Sequence, residues 1–247
     1  RIRRAIAARM KVTADRFIGG RVLVRQTESG FRSGLDAVML AAAVPAREGE
    51  EVLELGSGAG AASLCLAWRT NCAAFGIEID PALVALADEN AAENDLSGRA
   101  RFVTGDVLDM PAEMRRSFEH VMCNPPFHDE DGQISPDAGR ALALQDRGTL
   151  GEWLTAGMKR VVSNGTLTII LRADRLDEAL AALGDRGVSV FPLWPRKAEA
   201  AKRVLIRAVK GARMPLAMLP GLVLHEAGNS YTRAANAILR DGAALDI

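Results

Sequence analysis

Cysteine is scarce in this chain. Cys65, Cys72 and Cys123 are its only three, no two form a Cys-x-x-Cys pair, and each lies in or beside an apolar run. This spacing excludes a disulfide framework and a thiol-based zinc site, and predicts buried, reduced thiols in a reducing, cytoplasmic compartment. His120, His128 and His225 share no ligand spacing, so no metal is expected; His120 and His225 read as structural, and His128 adjoins the site described below. Aromatic residues make up only 4%, including a single tyrosine, so stacking surfaces are few. No apolar run approaches the roughly eighteen residues of a membrane helix, and no signal-peptide pattern is present, so no membrane partner is expected. Net charge is also missing: 31 basic residues balance 31 acidic ones, which neither demands nor excludes a nucleic-acid partner.

What is present is an ordinary globular composition, 49% apolar and 25% charged over 247 residues, enough for one large α/β domain. From residue 51 onward, short apolar β-type runs alternate with helical patterns, the rhythm of βαβ units in a mainly parallel sheet. Strands are expected over 51–55, 73–79, 101–103, 118–123 and 166–171, with helices over 61–68, 81–94, 150–162 and 175–183. Asp80 caps and Pro81 opens the second of these helices. Two further runs, 188–193 and 204–209, have only a short connection between them and read as an antiparallel hairpin added to the sheet. The expected architecture is therefore α/β, a seven-stranded, mainly parallel sheet with helices on both faces. Residues 1–50 read as an N-terminal extension packed on a domain spanning 51–247, with a glycine turn at Gly19-Gly20 before a strand and a helix from Leu35 to Val44. The polar stretch from His128 to about Arg147 is long enough to be a substrate loop.

Glu54-Leu55-Gly56-Ser57-Gly58-Ala59-Gly60 joins the first strand of the domain to a helix. Glycine there allows a tight turn and close backbone approach to a ligand. The spacing is GxGxG rather than the GxGxxG of dinucleotide sites, and an acid stands two residues before the first glycine. A carboxylate beside the loop repels a pyrophosphate but can receive an ammonium group, which suits S-adenosylmethionine, a cofactor with an amino-acid head and no phosphate. Glu78, eighteen residues after Gly60 and followed by Ile79, stands where an acid can accept from ribose hydroxyls. Asp106, next to Val107, closes the third strand, where it can accept from an adenine amine.

Asn124-Pro125-Pro126-Phe127 follows an apolar strand, at the carboxyl edge where open α/β sheets bind ligands. Two prolines fix φ twice and remove two donors, leaving carbonyls in set directions. The Asn124 oxygen and the Pro125 carbonyl can then both accept from one NH₂ group, with Phe127 as a flat wall for its ring. This chemistry draws electron density onto a nitrogen otherwise delocalised into a π-system. The turn alone does not separate a nucleobase amine from a protein amide.

With these motifs in place, the sequence resembles class I S-adenosylmethionine-dependent methyltransferases, and more narrowly the bacterial tRNA1(Val) adenine-37 N6-methyltransferase family. The resemblance extends over Gly30 to Leu40, Glu54 to Gly60, Gly76 to Asp80, Cys123 to Phe127, Arg172 to Leu176, Ser230-Tyr231-Thr232 and Ile238 to Arg240. It implies a Rossmann-like fold, S-adenosyl-L-methionine as cofactor with S-adenosyl-L-homocysteine as product, and RNA, in particular tRNA, as partner. Glu54, Gly56 and Gly58, with Ser57 and Gly60, would face the methionine part; Glu78 and Ile79 the ribose; Asp106 and Val107 the adenine; and Asn124 the target amine. Ser33 and Asp36 lie in the segment that closes over the methionine end in that family. Phe127 followed by His128 is also similar to guanine-N2 methyltransferases of ribosomal RNA, and Asn-Pro-Pro is shared with enzymes that methylate glutamine in release factors. Two basic segments offer a footing for an RNA backbone. Residues 1–32 carry nine Arg or Lys, and residues 196–213 carry Arg196, Lys197, Lys202, Arg203, Arg207, Lys210 and Arg213 against Glu199 alone.

Overall fold

The computed structural model describes residues 11–126 and 149–247. Strand β1 (Val12–Phe17) pairs antiparallel with β2 (Val22–Thr27), Phe17 opposite Val22. The turn between them needs glycine: Gly19 has φ +62°, and a Cβ there would come within 2.6 Å of the Arg240 carbonyl oxygen. Helix α1 (Leu35–Ala43) follows, buried along most of its length. Its last carbonyls would be orphaned in the interior, and two arginines meet them. Arg69 donates to Ala41 O (2.9 Å) and Val44 O (2.8 Å), and Arg207 donates to Ala43 O (2.5 Å).

The main sheet and its helices begin with β3 (Glu51–Leu55), α2 (Ala61–Thr70), β4 (Ala73–Glu78), α3 (Pro81–Glu93) and β5 (Ala100–Thr104). Asp80 caps α3, its carboxylate accepting from the Ala82 N–H at 2.8 Å, with Pro81 at the first position. The chain then returns past β3 to β6 (Phe118–Cys123) and, beyond the undescribed stretch, continues through α4 (Leu150–Arg160) and β7 (Val161–Arg172). Thr149 and Glu152 cap α4 reciprocally. Then come α5 (Leu176–Leu183), β8 (Val188–Trp194), β9 (Arg203–Val209), two short strands, β10 (Ala217–Met218) and β11 (Leu222–Val223), and α6 (Arg233–Asp241).

The sheet order is β5-β4-β3-β6-β7-β9-β8, with β10 and β11 both parallel to β8 along its outer edge. Strands β3 to β7 are parallel, whereas β9 runs antiparallel to both neighbours. Right-handed crossovers from β3 through β4 to β5 place α2 and α3 on one face. The crossovers from β6 onward run the other way and place α4 and α5 on the opposite face. Two apolar clusters follow: Met39, Leu64 and Leu66 lie on the α1–α2 side, and Leu53, Leu55, Phe118 and Leu154 on the α4 side. No helix among the described residues is long and apolar enough to cross a membrane.

Three differences from the sequence reading have physical causes. Strand β1, with Thr13, Asp15 and Arg16 between its apolar ends, lacks a readable alternation, and only its pairing with β2 identifies it. Strand β7 begins at Val161, five residues ahead of the expected Thr166, because Ser163-Asn164-Gly165 forms an irregularity rather than a turn. The β6–β7 register shifts between Phe118 and His120, and a Cβ on Gly165 would come within 2.4 Å of the Glu119 oxygen. The two-residue strands β10 and β11 extend the expected seven strands to nine.

The hairpin is joined to α3 by side-chain amides. Asn90 accepts from the Arg25 N–H (2.8 Å) and donates to the Arg25 carbonyl (3.0 Å) and the Ala59 carbonyl (2.9 Å). One turn later, Asn94 accepts from the Leu23 N–H (2.8 Å) and donates to its carbonyl (2.6 Å). Asn90→Ala should therefore strand buried backbone groups and lower unfolding free energy by about 2–4 kcal/mol. Urea titration would measure this, with amide exchange at Leu23 and Arg25 rising in parallel.

Candidate active site

The parallel register places Leu55 of β3 opposite Cys123 of β6. The next residues are Gly56 and Asn124, so the glycine loop and the proline turn leave the sheet side by side. Connections from β3 run toward β4 and those from β6 toward β7, which makes this gap the topological switch point, where open α/β sheets have a crevice for ligand. At the switch point the Asn124 Oδ1 is buried and has no hydrogen-bond partner among the described residues. Pro125 is buried beside it and Pro126 half-buried. Phe127 and His128, with the expected substrate loop from His128 to Arg147, lie outside the described residues.

The glycine loop is folded onto β4. The Gly56 and Ser57 N–H groups both donate to Ile77 O, at 2.9 and 3.0 Å. Its three glycines all have positive φ but meet different surroundings. A Cβ on Gly56 would sit 2.9 Å from the Trp153 ring, and one on Gly60 would sit 2.6 Å from Phe102, so both positions are closed by packing. Gly58 faces open space, with nothing within 4 Å of a Cβ built there. Gly58 is thus where the backbone lies bare to a ligand, and Gly60 serves the turn into α2. Ser57 Oγ is buried without a partner among the described residues and lies against Gly76 of β4.

The acids expected at the strand ends are all at this edge, in three different states. Glu54 is almost fully buried, and its Oε2 accepts from the Ser63 N–H (3.0 Å) and hydroxyl (2.5 Å) in the first turn of α2. Its Oε1 carries neither bond. Burial pushes its carboxyl up to about 8, against the opposing pull of the Ser63 bonds, with the nearby Glu78 adding to the rise. Glu78 is buried too, but each oxygen holds a backbone N–H: Gly58 N on Oε2 and Asp80 N on Oε1, both at 3.0 Å. A carboxylate oxygen accepts more than one bond, so Glu78 braces the loop and keeps capacity for hydroxyls. Asp106 is exposed, one oxygen receiving the Leu108 N–H at 2.8 Å. Ile79 and Leu108, each 40% exposed, leave apolar surface beside these two acids. Val107 is buried and, with Leu108, borders a groove of about 750 Å³ lined also by Glu152 and Thr155 of α4, Arg115 and Arg160.

Ser33 is held at this edge by Gln26, which accepts from its N–H (2.7 Å) and donates to its carbonyl (3.0 Å). Asp36 pairs with Arg203 at 2.9 Å, tying the start of α1 to the start of β9. Several described residues of the basic segments make such internal contacts. Besides Arg203 and Arg207, Lys210 donates to Val161 O (2.6 Å), Arg25 pairs with Glu93, and Arg32 with Asp15. His120 is structural, bonded to Thr166 (2.8 Å) and Glu50 (3.1 Å), with burial lowering its pKa. His225 stacks on Tyr231, the ring centres 4.7 Å apart. Sequence reasoning missed Trp153 as the floor beneath Gly56, since a helix tryptophan reads as generic core.

Because folding raises the Glu54 value from 4.5 to about 8, its stabilising contribution is complete below pH 4.5 and is lost as pH rises toward 8. Glu54→Gln should flatten the decline in stability across that window, as measured by denaturant titration at successive pH values. An unchanged pH profile would show the carboxyl to be ionised in the fold.

A family model for the methyltransferase small domain matches residues 33–176. A tRNA1(Val) (adenine(37)-N6)-methyltransferase of Haemophilus influenzae is 25% identical over 223 residues, covering 88% of this chain and 94% of the relative. One from Actinobacillus pleuropneumoniae serotype 7 is 28% identical, covering 85% and 89%. Among solved structures, a predicted O-methyltransferase from Agrobacterium tumefaciens is similar, with a TM-score of 0.72 and 26% identity over 86% of this chain and 99% of that one. With its sheet order, its loop and its proline turn, this chain has the class I methyltransferase fold and belongs to the methyltransferase small domain family.

Proposed function

We propose that the protein transfers a methyl group from S-adenosyl-L-methionine to an exocyclic amine of a nucleobase in RNA, adenine N6 in a tRNA. The observation that carries this reading is the buried Asn124 Oδ1 beside the glycine loop, which has no hydrogen-bond partner among the described residues. Leaving such a group unpaired costs about 1–3 kcal/mol, a cost repaid when a donor arrives. An NH₂ group is a donor of the right kind. Relatives over most of the chain are named for adenine N6 in tRNA1(Val), which supports the choice of base and RNA.

The residues at the edge fit the cofactor. Gly58 leaves backbone room, Glu54 Oε1 is available to an ammonium, Glu78 to ribose hydroxyls, and Ile79 and Leu108 to the faces of an adenine. The cofactor supplies an electrophilic methyl on a sulfonium. The protein's task is to hold the amine in line with it and polarise it. Asn124 Oδ1 and the Pro125 carbonyl accept the two amine hydrogens, which localises the nitrogen lone pair. The two prolines fix that geometry in advance, so little reorganisation is needed during reaction. No strong base is required, because the proton leaves after the nitrogen has become cationic. A hydroxyl target would need one, and the adjacent Cys123 does not serve, since burial holds its thiol protonated.

Incubation with methyl-labelled cofactor and tRNA, ribosomal RNA or release factor in separate reactions should give N6-methyladenosine in tRNA, identified by nucleoside mass spectrometry. Label in N2-methylguanosine or in protein alone would overturn the assignment. Asn124→Ala should lower kcat at least about a hundredfold while cofactor affinity, measured by calorimetry, stays near the wild-type value. Glu78→Ala should weaken cofactor binding, and unaltered affinity would remove Glu78 from the site.

A further inference from the structure

We propose that the carboxyl edge beyond β6 carries a track for single-stranded RNA flanking the target base, with Lys197 and Lys202 meeting phosphates and Phe31 stacking a base. The inference rests on the RNA reading above. Phe31 is 69% exposed, the most exposed of the large apolar side chains described. Its exposure does not come from a loose loop. Arg32 donates to Thr13 Oγ1 (2.6 Å), Thr27 O (3.1 Å) and Asp15 Oδ2 (2.5 Å), while Gln26 clamps Ser33 on both backbone atoms. A braced segment thus holds a phenyl ring in water, forgoing the roughly 1.5–3 kcal/mol that burying it would contribute.

The same segment leads into α1, whose Asp36 is paired with Arg203, the first residue of β9. The turn from β8 to β9 is therefore at this edge, and the Ala173 N–H donates to Lys202 O (3.2 Å) where β7 ends. Ala198 holds φ +65° at the tip of that turn. Of its cations, Arg196 pairs with Glu199 and Arg203 with Asp36, but Lys197 and Lys202 are exposed and have no ion-pair partner among the described residues. Nearby Asp174 is itself spent on Arg172. From β6, which carries Asn124, to β8 is three strand spacings, or about 14 Å, within reach of the nucleotides next to an extruded base. Exposed lysines on a turn that the Asp36–Arg203 pair ties to the segment bearing an exposed aromatic ring suit single-stranded nucleic acid, where phosphates take the charge and any base offers a face to stack.

The test measures affinity for a labelled single-stranded oligoribonucleotide and for bulk tRNA over a salt series, alongside cofactor affinity. Lys197→Ala with Lys202→Ala should weaken RNA binding and reduce the slope of log K against log salt by about 1.4, the value for two phosphates of a single strand. Phe31→Leu should cost about tenfold in RNA affinity, and Phe31→Tyr should restore it. Cofactor affinity should be unchanged in all three variants. Wild-type protein that binds RNA while the variants match it overturns the track alone. Wild-type protein that neither binds nor methylates RNA overturns the substrate reading itself.

Discussion

The chemistry of this protein depends on one pairing, the parallel ladder between β3 and β6. Because Leu55 is held opposite Cys123, the loop that turns out of one strand and the proline turn that ends the other leave the sheet as neighbours. A slip of one residue would carry Asn124 to the other face and return its oxygen to the core or to solvent. The flanking strands protect that register by covering both sides of it, and the two apolar clusters clamp it from above and below. The site inherits its geometry from the stiffest part of the molecule, so its polar atoms do not need a network of their own to hold position.

The acids at the edge differ in their surroundings. Glu54 lies in the interior, where burial pushes its carboxyl up to about 8, Glu78 carries two backbone donors, and Asp106 stands in water. Among the basic residues, Arg69, Arg203, Arg207 and Lys210 serve the interior, closing helix α1 and joining β9 to its neighbours.

Much of this was legible in the residues. Val52, Leu53 and Leu55 in β3 and Phe118, Val121 and Met122 in β6 marked those strands, Asp80-Pro81 marked the start of α3, and the three acids lie near the strand ends where spacing put them. What escaped depends on tertiary partners. Strand β1 shows no pattern until β2 lies beside it, and the early start of β7 at Val161 shows only once β6 takes up the register shift beside it. Gly56, Gly58 and Gly60 are equivalent as letters. Only the neighbouring rings of Trp153 and Phe102 show that two are closed and one open. The destinations of Arg207 and Lys210 were likewise invisible, because a long flexible cation gives no sign in sequence of which carbonyl it will reach.

The two asparagines of α3 have a consequence beyond anchoring. A two-stranded ribbon leaves a bare outer edge, a row of amide groups ready to template a strand from another molecule. Asn90 and Asn94, one helical turn apart, match the two-residue repeat of β2 and take up the amide and carbonyl of both Arg25 and Leu23. A helix here does the work of an edge strand and closes the β2 side of the ribbon, so that the strand leading to Phe31 does not offer the backbone of Leu23 and Arg25 to self-association.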